Sequence, residues 1–95
     1  MVDDVAAVVR KRVVVRGRVH GVGYRASCAA QARAFGVAGT VRNLPDGRVE
    51  AVLEGPVDAV GAVVAWCERG PSYAHVTGIN VVDEAPTGET AFRVT

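Results

Sequence analysis

The stretch Gly17-Arg18-Val19-His20-Gly21-Val22-Gly23-Tyr24-Arg25 concentrates residue types that suit anion binding. Three glycines within seven residues permit backbone conformations with φ > 0 that other residues resist. Successive N–H groups can then turn toward one point and form an anion-binding nest. Arg25 falls in the first turn of the helix that follows, where the amides lack intrahelical partners and the dipole favours negative charge. A cation there is unfavourable unless an anion neutralises it, and a guanidinium offers the fork geometry that phosphate oxygens accept. The same glycines would also serve a plain strand-to-helix turn with Arg25 in solvent. Three of them beside an arginine at a helix start favour a phosphate cradle.

A second pattern overlaps the first. Gly21-Val22-Gly23-Tyr24-Arg25-Ala26 fits the dinucleotide fingerprint, and Asp46 stands about twenty residues on. That fingerprint needs a parallel βαβ unit and a second half to form a crevice. Here the chain runs into a hairpin, Asp46 sits in its turn, and the length is 95 residues. No Gly-Lys-[Ser/Thr] follows the glycines, so an ATP-type phosphate loop is excluded as well.

The elements that must hold the loop follow from periodicity and turn chemistry. Residues 11–20 are β-branched and charged and read as a strand. Tyr24, Cys28, Ala32 and Phe35 recur at helical spacing, with Gly36 as a stop. Strands at 38–44 and 47–54 flank the Pro45-Asp46-Gly47 turn. Gly55-Pro56 opens a second helix with Val57, Val60, Val63, Val64 and Cys67 as its apolar stripe, and Gly70-Pro71 ends it. Residues 76–83 form a fourth strand; whether Ala91–Val94 adds a short fifth stays open. Residues 1–9 read as a tail ahead of a single domain at 10–95. The order β-α-β-β-α-β predicts an α+β, ferredoxin-like split β-α-β sandwich, a four-stranded antiparallel sheet with two helices on one face.

Composition narrows the function classes. Hydrophobic residues make up 49% and charged residues 22%, which suits a packed core, while aromatics at 5% leave Val and Ala to fill it. Eleven Lys+Arg against ten Asp+Glu give a formal charge of +1, too balanced for a binder that relies on many phosphate contacts. No apolar run reaches the roughly 18–20 residues of a transmembrane helix. The acidic start Met1-Val2-Asp3-Asp4 is unlike a secretory leader, and two cysteines are too few for a disulfide framework. The expectation is a cytoplasmic monomer with no membrane and no nucleic-acid partner.

The first block, together with Gly39-Thr40-Val41-Arg42-Asn43-Leu44-Pro45-Asp46-Gly47-Arg48-Val49-Glu50, closely resembles the two signature blocks of acylphosphatases. The likeness continues through Gly70-Pro71, Ala74-His75-Val76 and Phe92-Arg93-Val94, covering roughly residues 10–95. It implies a cofactor-free hydrolase that splits acyl phosphates into carboxylate and inorganic phosphate. By the resemblance, Arg25 binds the phosphate, Asn43 orients the attacking water, and His20, Gly21, Val22 and Gly23 supply backbone N–H groups. His20 stands where the family often has Gln, Tyr24 where Phe is common, and Thr40 where Trp is often found. None of these departures removes a backbone donor, so they bear on substrate preference more than on the reaction.

Other chemistry-bearing residues have plainer roles. His20, His75, Cys28 and Cys67 lack zinc-site spacing, and the cysteines lie on apolar helix stripes, so no metal site is expected. Trp66 reads as a packing residue, Asp83-Glu84 as a solvated strand end, and Arg42 and Arg48 as solvated flanks of the hairpin. An RNA-recognition domain shares the element order but stacks bases on aromatics in its central strands. Val13–Val19 and Val49–Leu53 contain none. A phosphate-sensing module that binds without turnover is the other alternative; it has no use for Asn43.

Overall fold

The computed structural model describes residues 7–95. Its elements are β1 (Val8–Arg18), α1 (Tyr24–Ala34), β2 (Ala38–Asn43), β3 (Val49–Pro56), α2 (Val57–Arg69), β4 (His75–Glu84) and β5 (Phe92–Val94). The sheet order is β4-β1-β3-β2-β5. β1 pairs antiparallel with both β3 and β4, and β2 pairs antiparallel with β3. β5 lies parallel to β2, opposite Gly39–Val41. The sheet is therefore five-stranded and mixed, not the four-stranded antiparallel sheet expected. Residues 92–94 satisfy an edge of β2 that would otherwise stay unpaired. The ferredoxin-like α+β arrangement otherwise stands.

The period-two pattern of the strands sets the two faces of the sheet. Val13, Val15, Val41, Val49, Ala51 and Leu53 point inward and are fully buried. Both helices cover that side: Tyr24, Cys28, Ala29 and Ala32 from α1, and Val60, Val63, Trp66 and Cys67 from α2, belong to the same core. Small residues dominate, so stabilisation comes from many contributions of roughly 2 kcal/mol per buried Val, with few large aromatic anchors. Tyr24 and Trp66 are the exception, with ring centroids 5.2 Å apart and planes tilted by 52°. The Tyr24 hydroxyl donates to the Cys67 carbonyl at 2.7 Å, so the ring carries its polar end into the core without an unmet bond.

Some boundaries and faces differ from expectation. β1 begins at Val8, so Val8 and Val9, assigned to the tail, pair with Pro56 and Gly55. The Ala7 carbonyl accepts from the Val57 N–H at 3.2 Å, and residues 1–6 of that tail lie outside the described residues. β1 also ends at Arg18, leaving Val19 and His20 to the loop. Phe35 is 47% exposed, because α1 ends one residue earlier and the Gly36 turn carries it off the buried stripe. Val57 is 49% exposed, since it starts α2 where no neighbouring turn covers it.

The opposite face of the sheet is ionic. Arg10 bonds to Glu54 and Glu84 at 3.0 Å each, and Arg12 reaches Glu84 at 2.7 Å and also Glu50. Glu84 is thus tied into a cross-strand network, not left as a solvated strand end. Arg42 and Arg48 do lie at the hairpin surface, paired with Glu50 and Asp46.

Candidate active site

Gly17 prepares the way into the loop. The β1–β4 register slips between Arg16 and Gly17, and a Cβ on Gly17 would stand 2.1 Å from the His75 carbonyl oxygen. This glycine therefore serves a β-bulge at the strand end, not the cradle, and β1 goes on to pair with Val76 and His75 of β4. After the bulge the half-buried Val22 packs against the core, while Gly21 and Gly23 adopt φ of 71° and 76°. Gly23 is the N-cap of α1, in the left-handed region, with its carbonyl accepting from Ser27 N–H at 3.0 Å. No side chain caps this helix, and its first turn carries no acidic residue.

The consequence is a run of free donors. Among the described residues, the amides from Gly21 to Ala26 donate to no carbonyl or carboxylate of the protein. They flank a cavity of about 250 Å³ lined by Val19, Gly21, Gly23, Tyr24, Arg25, Ala26, Asn43 and Val94. Arg25 reaches past the end of β5, donating to the main-chain oxygen of Thr95 at 3.4 Å, and no described Asp or Glu side chain pairs with it. Thr95 is itself held by its N–H to Val41 O at 2.9 Å. Asn43 is the last residue of β2, opposite the buried Val49, and its carboxamide makes no hydrogen bond within the described protein.

Of the residues picked out from sequence, Arg25, Asn43, Gly21 and Gly23 thus line one cavity. His20 and Val22 do not line it. Val22 turns to the core, and the His20 ring turns to the hairpin, where Nε2 meets the Arg48 carbonyl at 2.9 Å. Val19, Ala26 and Val94 were not anticipated. Val94 comes from β5, whose parallel pairing leaves no short-range mark in the sequence.

Cys28 and Cys67 are fully buried free thiols, as their stripes implied. A hydrogen bond to Cys67 pushes the Cys28 thiol up, and burial adds to this, so Cys28 is a poor nucleophile. Among the described residues, no three His, Cys, Asp or Glu side chains gather as a metal site. No described helix is long and apolar enough to cross a membrane.

A glycine loop, a helix start and one guanidinium without an Asp or Glu partner among the described residues bring the chain to its relatives. A family model described as acylphosphatase matches residues 11–94. The chain belongs to the acylphosphatase family. It is 57% identical over 86 residues to an acylphosphatase of Methylococcus capsulatus, covering 90% of this chain and 94% of that one. An acylphosphatase of Anaeromyxobacter dehalogenans is 56% identical over 87 residues, with the same coverage. Among solved structures, the acylphosphatase from Bacillus subtilis superposes with a TM-score of 0.89 at 35% identity, covering 92% of this chain and 98% of that one.

Proposed function

We propose that Arg25, Asn43 and the backbone amides of His20, Gly21, Val22 and Gly23 carry out the family's reaction in the cavity at the start of α1. That reaction is hydrolysis of acyl phosphates, and the chain is an enzyme of this kind. Water oxygen bonds to phosphorus, the phosphorus–oxygen bond to the acyl group breaks, and its electron pair leaves on the carboxylate. The products are carboxylate and inorganic phosphate, which keeps the protons of the water. A carboxylate leaves readily, so the step needs no strong general acid. Phosphoryl transfer then rests on positioning and on stabilising charge.

The observation that carries this reading is the run of amides from Gly21 to Ala26 with no described protein acceptor, beside a guanidinium that no described Asp or Glu side chain neutralises. Arg25 and the amides hold the phosphoryl oxygens as their charge redistributes, a preorganised arrangement. Asn43 has a donor and an acceptor but no useful proton affinity, so it orients water and does not deprotonate it. We further propose a cytoplasmic monomer without nucleic-acid partners, supported by the formal charge of +1 and central strands free of aromatics.

The test is hydrolysis of benzoyl phosphate in excess chelator by the parent protein and by Asn43→Ala. The parent should turn over. The variant should lose about 10²-fold in kcat while inorganic phosphate still inhibits with an unchanged constant. Undiminished turnover in Asn43→Ala would remove Asn43 from the mechanism and favour no role for it beyond the turn.

A further inference from the structure

The His20 side chain joins two parts of the site that are far apart in sequence. Its Nε2 lies 2.9 Å from the Arg48 carbonyl oxygen, 28 residues away. A carbonyl only accepts, so Nε2 carries the hydrogen and the ring donates. The same oxygen accepts the Leu44 amide at 2.8 Å, the bond that closes the β2–β3 turn one residue beyond Asn43. On its other side His20 is joined directly to Gly21, whose amide has no acceptor among the described residues. Among the described residues, this is the one hydrogen bond between the Val19–Gly23 loop and the β2–β3 hairpin.

We propose that the His20 side chain is a positioning residue that pins the loop to the hairpin and so sets the separation between the phosphate amides and Asn43. The inference rests on the function proposed above and assigns the imidazole a role distinct from the backbone N–H of the same residue. In-line attack tolerates little error, since a misplacement of about 1 Å can lower rates about 10²-fold. Arg25 is steadied separately by Thr95, so the pin governs the water side of the reaction more than phosphate affinity. A glutamine amide has an N–H of similar reach and can replace the bond, whereas alanine cannot.

The experiment compares the parent, His20→Ala, His20→Gln, Asn43→Ala and the His20→Ala/Asn43→Ala double variant. It measures kcat with benzoyl phosphate and inhibition by inorganic phosphate, below the melting temperature of every protein. His20→Ala should lower kcat about tenfold with the phosphate inhibition constant within about twofold, and His20→Gln should recover most of that loss. In the Asn43→Ala background His20→Ala should lower kcat by less than about twofold, because the group it positions is gone. Parent-like turnover in His20→Ala overturns the proposal. So does an equal tenfold loss in the Asn43→Ala background, or a glutamine variant as slow as alanine. If Asn43→Ala itself turns over normally, the function assigned to Asn43 fails and the pin falls with it; if only the His20 series deviates, the pin alone fails.

Discussion

At the β4–β5 connection the amides of Thr87, Gly88 and Glu89 donate to the Glu54 carboxylate at 3.0, 2.7 and 3.1 Å. At the start of α1 the amides from Gly21 to Ala26 also follow one another, yet they meet no acceptor among the described residues. Both stretches use glycine at positive φ, Gly88 at 88° and Gly23 at 76°, to turn neighbouring N–H groups the same way. Each has an arginine beside it: Arg10 bonds to Glu54 at 3.0 Å, while Arg25 meets the main-chain oxygen of Thr95 and no Asp or Glu side chain among the described residues. One nest encloses a carboxylate of the chain itself and fastens the loop that leads into β5. The other has no acceptor among the described residues, as the proposed phosphate site requires. A device that stabilises when the chain supplies its anion is, under the proposed function, a binding site when it does not.

That contrast can be broken at either nest. The largest effect is expected from Arg25→Ala, a loss of about 10³-fold in kcat/KM for benzoyl phosphate with much weaker phosphate inhibition. Its melting temperature should hold or rise slightly, because a cation leaves the positive end of a helix. A large fall in melting temperature would show that Arg25 is structural. Glu54→Ala should do the opposite, lowering Tm by more than about 10 °C in thermal unfolding, since three amides and Arg10 lose their acceptor. Turnover well below Tm should change less than about threefold.

Acid should act on the filled nest too. The Thr87 amide, with Arg10, Gly88 and Glu89, holds the Glu54 carboxyl at about 2 against the opposing effect of burial. A group depressed in the folded state stabilises fully above its unfolded value, about 4.3, and loses that contribution as pH falls toward 2. Melting curves of the parent and Glu54→Gln should therefore converge between about pH 4 and pH 2, and a constant gap would contradict the assignment. The smallest effect is a matched pair. Gly88→Ala and Gly23→Ala both place a side chain at positive φ with no atom within 4 Å, and each should destabilise by about 1 kcal/mol. Only Gly23→Ala should also depress turnover. Equal activities would mean that the geometry of the α1 nest does not matter to catalysis.

Much of this was legible in advance because the relevant physics is local. Val13, Val14 and Val15 stand between Arg12 and Arg16, so a β-branched, charged strand is legible there. The Pro45-Asp46-Gly47 turn and the Gly36 and Gly70 stops name their own conformations. Gly21, Gly23 and Arg25 point to the proposed anion site because a helix start leaves its first amides without intrahelical partners.

Local pattern alone could not tell that Gly17 belongs to a bulge, since that depends on the His75 carbonyl across the sheet. Nor could it place Val94 at the cavity or seat β5 beside β2, because a three-residue parallel strand has no turn to announce its partner. The His20 bond to Arg48 and the capture of Glu54 by residues 87–89 are likewise meetings across 28 and 33–35 positions. The sequence by itself determined the elements, their apolar helix stripes and the amides that lack intrahelical partners, because those follow from neighbours three or four residues apart. Only the tertiary structure decided which side chains meet at the cavity and which nest is filled, because hydrogen bonds over such separations exist only once the sheet has set the distances.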